Sequence, residues 1–368
     1  LEGDDTSGAM ADAIQALEIN PNSAMAHTML GLLHLQNGNF GLVNHNYYQQ
    51  DLYKKLFKEI WHKLVERKIV TKSLTEIENS ELFKYSPYKA LNEDQYNSVL
   101  QILDGLTTKE SNRIFISGSA GTGKTILATY LIKLLVSDVN ELQSDEYNED
   151  EIKEIKYVRD FKSKYPNAKI GLVVAMTSLR ESLKNVFKKI PGLKSSMVIN
   201  PSDTFQLNEK YDLLIVDEAH RLRQYKNISW RGAFNKNNQK LDLGNDGTEL
   251  DWIIANSKNQ IFFYDSAQSV KPSDVNQSDF DKLLASNDII KLELKSQMRV
   301  IGGNNYIQLV DDILNVTNNS SAKFYSEQYD LKIFDSFKDL HAELLKKESQ
   351  YKLCRLVAGY SWDWKSKS

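Results

Sequence analysis

The chain has 368 residues, a net charge of −3 and a single cysteine, Cys354. The length suffices for two or three domains with a sizeable core. The charge excludes a global basic field, so any nucleic-acid site must be a local patch; one cysteine excludes an internal disulfide or a cysteine metal cluster.

No apolar run approaches the ~20 residues of a membrane span. The polar, acidic N-terminus is not a signal peptide. These features suit a cytoplasmic protein without a membrane partner. Residue 1 is Leu rather than Met, which reads as a fragment.

Residues 9 to 40 use small residues at fixed spacing around Ile19-Asn20-Pro21-Asn22: Ala9, Ala13, Ala16 and Leu17 before, Ala24, Ala26, Leu30 and Gly31 after. This resembles a tetratricopeptide helical hairpin over 1–40, for which Pro21 stops the first helix. One such unit cannot bury its face alone, so it reads either as a peptide-docking array, implying a protein partner, or as a helical cap. Residues 41–90 form a helical linker region. Leu52, Leu56, Ile60, Trp61, Leu64 and Val65 recur there at helical spacing, and that helix must dock somewhere. After the break at Ser86-Pro87, Leu91 to about Leu103 reads as a helix, with Asn92 as N-cap and Gln95 completing a capping box.

Arg113 to Leu135 organises everything else. Ile114-Phe115-Ile116 predicts a buried strand, and Ile126, Leu127, Tyr130, Leu131, Leu134 and Leu135 an amphipathic helix. Between them Gly118-Ser119-Ala120-Gly121-Thr122-Gly123-Lys124-Thr125 fits G-x-x-x-x-G-K-[ST] at every fixed position. Glycines let backbone N–H groups close around a phosphate, and the following helix adds its positive end. Lys124 would reach the β- and γ-phosphates, and the Thr125 hydroxyl would ligate Mg2+.

Asp138 to Glu151 is acidic, without a facing base, and reads as a solvated insertion or an acidic regulatory element. Lys169 to Ala175 predicts a parallel strand, Leu179 to Ile190 a helix, and Val198-Ile199 a short strand. Tyr211 to Arg223, YDLLIVDEAHRLR, carries a continuous apolar strand of the doubly covered type. Asp217 and Glu218 stand at its carboxyl end, where open α/β sheets bind ligands. Asp217 would hold Mg2+ through water, and Glu218 would orient or deprotonate the attacking water.

Arg221 to Lys240 holds six basic residues, no acid, and the rings of Tyr225, Trp230 and Phe234. That composition suits a single strand of nucleic acid; a solvated Asn/Lys/Gly loop is the alternative. Thr248 to Ile254 predicts a short helix. Gln260 to Tyr264 is a strand ending in Asp265-Ser266-Ala267-Gln268; Ile289 to Leu294 is another, ending in Lys295-Ser296-Gln297-Met298-Arg299. An amide or guanidinium at such an end can sense a γ-phosphate. Asn304 to Leu314 and Ser336 to Lys347 predict helices, Leu331 to Phe334 and Lys352 to Ala358 strands.

In this order the motifs resemble those of superfamily-1 helicases, most closely the Schlafen-like group of helicase and NTPase domains, from Leu91 to Trp364. LNEDQ resembles the adenine-selecting glutamine motif, which implies that Gln95 reads the base. The phosphate loop matches motif I and VDEAH motif II. Val173 to Ser178 stands where motif Ia touches nucleic-acid backbone. DSAQ resembles motif III, in which Gln268 would couple phosphate state to the strand, and QMR resembles motif IV, in which Arg299 would contact the γ-phosphate. RLVAGYSWDWKSK resembles a segment entering the second lobe. Motifs V and VI have no counterpart before Ser368, and the tetratricopeptide-like start is not a feature of the family.

Residues and resemblance together imply an α/β P-loop NTPase (RecA-like) domain over 91–325, with a doubly wound parallel sheet. An α-helical N-terminal region precedes it, and an incomplete second α/β lobe begins at 326–368. The expected function is ATP binding and hydrolysis with Mg2+ in a helicase or translocase acting on single-stranded DNA or RNA. The alternative is an NTPase switch working through protein partners. With the facing arginine absent, this chain is expected to bind Mg·ATP, hydrolyse it poorly and not unwind duplex by itself.

Overall fold

A computed structural model describes residues 50–72, 80–89, 91–108, 112–138, 149–207, 209–228, 231–265, 271–286, 289–296, 303–314, 332–351 and 354–357, with the single positions 15, 77 and 268. The tetratricopeptide-like segment, most of the acidic insertion, Trp230 and Arg299 lie outside the described residues.

Helix α1 (Gln50–Glu66) is the predicted amphipathic helix, and Leu56, Phe57 and Ile60 on it are exposed. A single turn, α2 (Glu81–Lys84), precedes α3 (Glu93–Thr108). The predicted capping box opens α3: Gln95 N donates to Asn92 Oδ1 at 2.8 Å and Asn92 N to Gln95 Oε1 at 3.2 Å. The helix runs past the predicted end at Leu103 because Gly105 lets it approach the sheet. A Cβ at that position would stand 2.4 Å from Ile290 Cδ1.

The described strands are β1 (Arg113–Gly118), β2 (Ile170–Val174), β3 (Val198–Ile199), β4 (Tyr211–Asp217), β5 (Ser257–Tyr264) and β6 (Ile289–Leu294). They form one sheet in the order β3-β2-β4-β5-β1-β6, and every pairing is parallel. Parallel neighbours require crossovers, and these are made by helices. They are α4 (Lys124–Val136), α5 (Glu149–Lys164), α6 (Thr177–Phe187), α7 (Arg231–Gln239), α8 (Glu249–Ala255) and α9 (Gln277–Leu284).

Alternation along each strand divides the core between the two faces. Ile114 and Ile116 of β1 join Leu127, Leu131, Phe161 and Val186 on one face; Phe115 joins Phe262, Ile253 and Phe280 on the other. Phe115 and Phe262 stack with centroids 4.8 Å apart across the β1–β5 register. A sheet covered on both faces explains why its strands read as unbroken apolar runs. This is the expected α/β fold with a doubly wound parallel sheet.

Beyond β6, α10 (Gly303–Leu314) and α11 (Phe337–Tyr351) follow the predicted helices. The two predicted strands of a second lobe are not found among the described residues. Residues 332–334 and 354–357 have no regular structure, Ile333 and Val357 are 82% and 87% exposed, and no described strand pairs with either segment.

Candidate nucleotide site

The site forms where β1, β5 and β4 end. Gly118 closes β1, and the chain turns through Gly121 (φ 90°) and Gly123 (φ 85°) into α4. Both angles lie in the left-handed region that only glycine enters freely. A Cβ on Gly118 would stand 2.6 Å from Thr122 Oγ1 and 3.3 Å from Leu294 O, so the loop closes only around glycine. By helix geometry the first-turn N–H groups of α4 have no carbonyl to bond and face the loop's hollow.

Lys124 begins α4 and is almost fully buried. Its ammonium donates back to Gly118 O at 2.6 Å and Ser119 O at 2.9 Å, and lies 3.6 Å from Asp265 Oδ2. The predicted phosphate lysine thus spans its own loop. Thr125 Oγ1 donates to Asp217 Oδ2 at 2.7 Å, which brings the two predicted metal-holding residues into contact. A hydroxyl and a carboxylate are hard oxygen donors of the kind Mg2+ takes, and phosphate oxygens would complete the set. Among the described residues no cluster of three acidic, His or Cys side chains could hold a metal without them.

Asp217 is buried, and burial followed by the neighbouring Glu218 charge pushes its pKa up to about 6. Glu218 moves the other way. Burial alone would raise it, but His220, Lys124 and Arg221 outweigh that and hold it below the usual carboxylate range. Two adjacent acids with opposite shifts suit different tasks. Glu218 also sits at φ 53°, ψ 50°, a left-handed backbone that costs a non-glycine residue about 1 kcal/mol.

Asp265 and His220 are the residues whose part sequence reasoning missed. Asp265, closing β5, accepts from Gln268 Nε2 at 2.7 Å and faces Lys124, while its N–H donates to His220 Nδ1 at 3.3 Å. His220 Nε2 stands 3.0 Å from Glu218 Oε2, outside hydrogen-bond alignment, and among the described residues neither atom has another partner. One carboxylate therefore touches Lys124 and Gln268, and its backbone reaches Glu218 through an imidazole. The only sequence signal was an aspartate and a histidine at the ends of neighbouring strands.

Gln95 is buried, and both ends of its amide are engaged. Nε2 donates to Thr122 O at 3.0 Å while Oε1 accepts from Asn92 N, so the glutamine braces the phosphate loop. An open cleft of about 470 Å³ lies beside the loop, lined by Ser117, Gly118, Ser119, Asp265, Glu293 and Lys295.

The basic segment is more structural than its composition implies. Arg223 pairs with buried Glu249 at 2.7 Å and Arg221 with Asp274 at 3.5 Å. Phe234 lies under the surface against Trp252 and Tyr225 and offers no exposed stacking face. Lys226, Arg231, Lys236 and Lys240 remain exposed, the last over the Phe205 ring. Residues 231–239 are a helix rather than a loop.

The family model described as "Schlafen group 3, DNA/RNA helicase domain" matches residues 111–368. The chain belongs to this family. The matched region starts at β1 and includes every strand, the phosphate loop and Asp217-Glu218, so this Schlafen group 3 domain carries a P-loop NTPase, RecA-like fold.

No curated protein matches the chain. Among solved structures, one titled a crystal structure of a DNA replication initiation factor aligns at 16% identity and TM-score 0.30. It covers 73% of this chain and 64% of its own. PCH-2 of C. elegans aligns at 12% identity and TM-score 0.25, covering 73% and 60%. The chain thus spans less than two thirds of these neighbours. No helix among the described residues is long and apolar enough to cross a membrane.

Proposed function

We propose that this Schlafen group 3 domain binds and hydrolyses ATP to drive a helicase or translocase acting on single-stranded DNA or RNA. The observation that carries this reading is the Thr125–Asp217 contact, which holds the helix behind the phosphate loop against the end of the β4 strand that bears Glu218. Gly118 to Gly123 and the first turn of α4 would cradle the β- and γ-phosphates, with Lys124 moving off Gly118 O and Ser119 O onto them. Thr125 and Asp217 would hold Mg2+, which when bound withdraws charge from the phosphate oxygens.

Glu218, kept ionised by its lowered pKa, would orient a water in line with the γ-phosphorus and take its proton as the bond to the β–γ bridging oxygen breaks. Gln268 reaches the lysine through Asp265, a path by which phosphate state could be passed on. Arg299 is proposed as a γ-phosphate contact and Gln95 as a base contact once released from Thr122. A protein partner for residues 1–40 is part of the same proposal.

The test is the ATPase rate of the purified chain with and without single-stranded DNA or RNA. A slow basal rate, raised by a strand, is expected. Hydrolysis indifferent to any strand, together with nucleotide-dependent capture of a protein, would move the assignment to a switch.

A further inference from the structure

A second hollow, of about 230 Å³, lies away from the phosphate loop. Asn200 after β3, Arg223 after β4, Phe234 and Asn237 on α7, and Glu249 and Trp252 on α8 line it. It lies on the carboxyl side of the strands, as the nucleotide site does, but toward the β3 edge of the sheet.

Its chemistry is specific. Phe234 and Trp252, with centroids 4.4 Å apart, give an apolar floor. The Trp252 N–H is already bonded to Asn238 Oδ1 at 2.7 Å. Arg223 donates from Nε and Nη2 to Glu249 Oε1 at 2.9 and 2.7 Å, and from its backbone N to Oε2 at 2.9 Å. That clamp holds a planar guanidinium rigid while 41% of the side chain stays accessible. Asn237 is 9% exposed, and no hydrogen bond among the described residues engages its side-chain amide. It lines the hollow, so its donor and acceptor are available to a ligand there.

We propose that this hollow takes one nucleobase turned out of a single strand; the proposal rests on the nucleic-acid reading above. The Arg223–Glu249 pair is internally neutralised, and the buried carboxylate repels phosphate, so a neutral planar group is favoured inside. The flat, partly accessible Arg223 guanidinium suits the base face, Phe234 and Trp252 close the floor, and the Asn237 amide supplies one donor and one acceptor for the base edge. An engineered cavity of about 150 Å³ admits benzene, so this volume leaves room for a larger heterocycle. The backbone phosphates would run outside, past exposed Lys226, Arg231 and Lys236, in a stretch from Arg221 to Lys240 that contains no acid.

The test uses the whole chain and a labelled single strand of about 15 nucleotides, as DNA and as RNA, read by fluorescence anisotropy. Ala233 lines the hollow from the exposed side of α7, so Ala233→Trp fills it, and Asn237→Ala removes the amide. Each is expected to weaken strand binding roughly fivefold to a hundredfold, with ATP affinity unchanged. A fully abasic strand should bind wild type and variants alike. If Ala233→Trp fails to fold, Asn237→Ala decides. Wild-type affinity in the variants, with binding that depends only on salt, overturns the base pocket and leaves the nucleic-acid reading standing. Absence of strand binding by the wild type overturns both.

Discussion

The Thr125 hydroxyl donates to Asp217 Oδ2 at 2.7 Å across 92 residues of sequence. The strands that deliver them, β1 and β4, are not neighbours, because β5 lies between them. The same intervening strand brings Asp265 to Lys124. The contact links a buried carboxylate to the one side-chain hydroxyl at the start of α4, and both groups would turn to a metal when nucleotide arrives.

Thr125→Val keeps the shape and removes the hydroxyl. Asp217 then stays buried with one donor fewer, at a cost of about 1–3 kcal/mol in stability. The Mg2+-dependent part of ATP affinity should fall about tenfold, a loss of about 1.4 kcal/mol. Calorimetric titration with and without Mg2+ checks this, and an unchanged Mg2+ dependence would remove Thr125 from the metal site.

Lys124→Ala should weaken ATP binding on the order of 10- to 100-fold, the worth of a charged hydrogen bond. The fold should survive, since the lysine's present partners are two loop carbonyls and Asp265. Equal losses for ATP and AMP would place the lysine away from the β- and γ-phosphates.

Glu218→Gln should bind ATP within about threefold of wild type and slow single-turnover hydrolysis by roughly 100-fold or more. The amide keeps the side-chain size beside His220 but cannot accept a proton. A variant that hydrolyses at the normal rate would show that another group places the water.

Much of this architecture was legible in the residues. The unbroken apolar runs of β1, β4 and β5 announced a sheet covered on both faces, and the glycine spacing of 118–125 announced the loop, because each is forced by local sterics. Helix α5 went unread: Val158, Phe161 and Tyr165 stand at helical spacing, but the acidic run before them reads as a solvated insertion. The Asp265–His220 link was not legible, because it depends on which strands become neighbours. Composition misled at Phe234 and Arg223: a ring and a cation read the same in sequence whether they face solvent or seal a core. Of the strands expected at 331–334 and 352–358, the described residues 332–334 and 354–357 are irregular, since a short alternating or apolar run forms a strand only where a neighbour offers an edge to pair with.

Gln95→Ala separates a loop brace from a base reader. Losing the Thr122 bond and half of the capping box should cost about 1–2 kcal/mol of stability. If the side chain also reads adenine, ATP affinity should fall more than GTP affinity. Equal weakening of the two would leave the glutamine as a brace alone. Competition binding with both nucleotides, alongside thermal unfolding, separates these outcomes.

The Arg223–Glu249 pair gives a pH prediction. Burial raises the Glu249 pKa above the usual carboxylate range, although Arg223 pulls it down. The folded value then lies above the unfolded one, about 4.3. The stability this group contributes is whole below the unfolded value and is lost as pH climbs through the folded one. Glu249→Gln does not titrate, so its stability relative to wild type should improve as pH rises from about 4 toward 7. Arg223→Ala should steepen the wild-type decline and lower stability at neutral pH by about 2 kcal/mol. That is below the range for fully buried pairs because Arg223 is 41% exposed. Urea unfolding across this range reads all three proteins. Parallel profiles for wild type and Glu249→Gln would mean that Glu249 keeps an ordinary pKa in the fold.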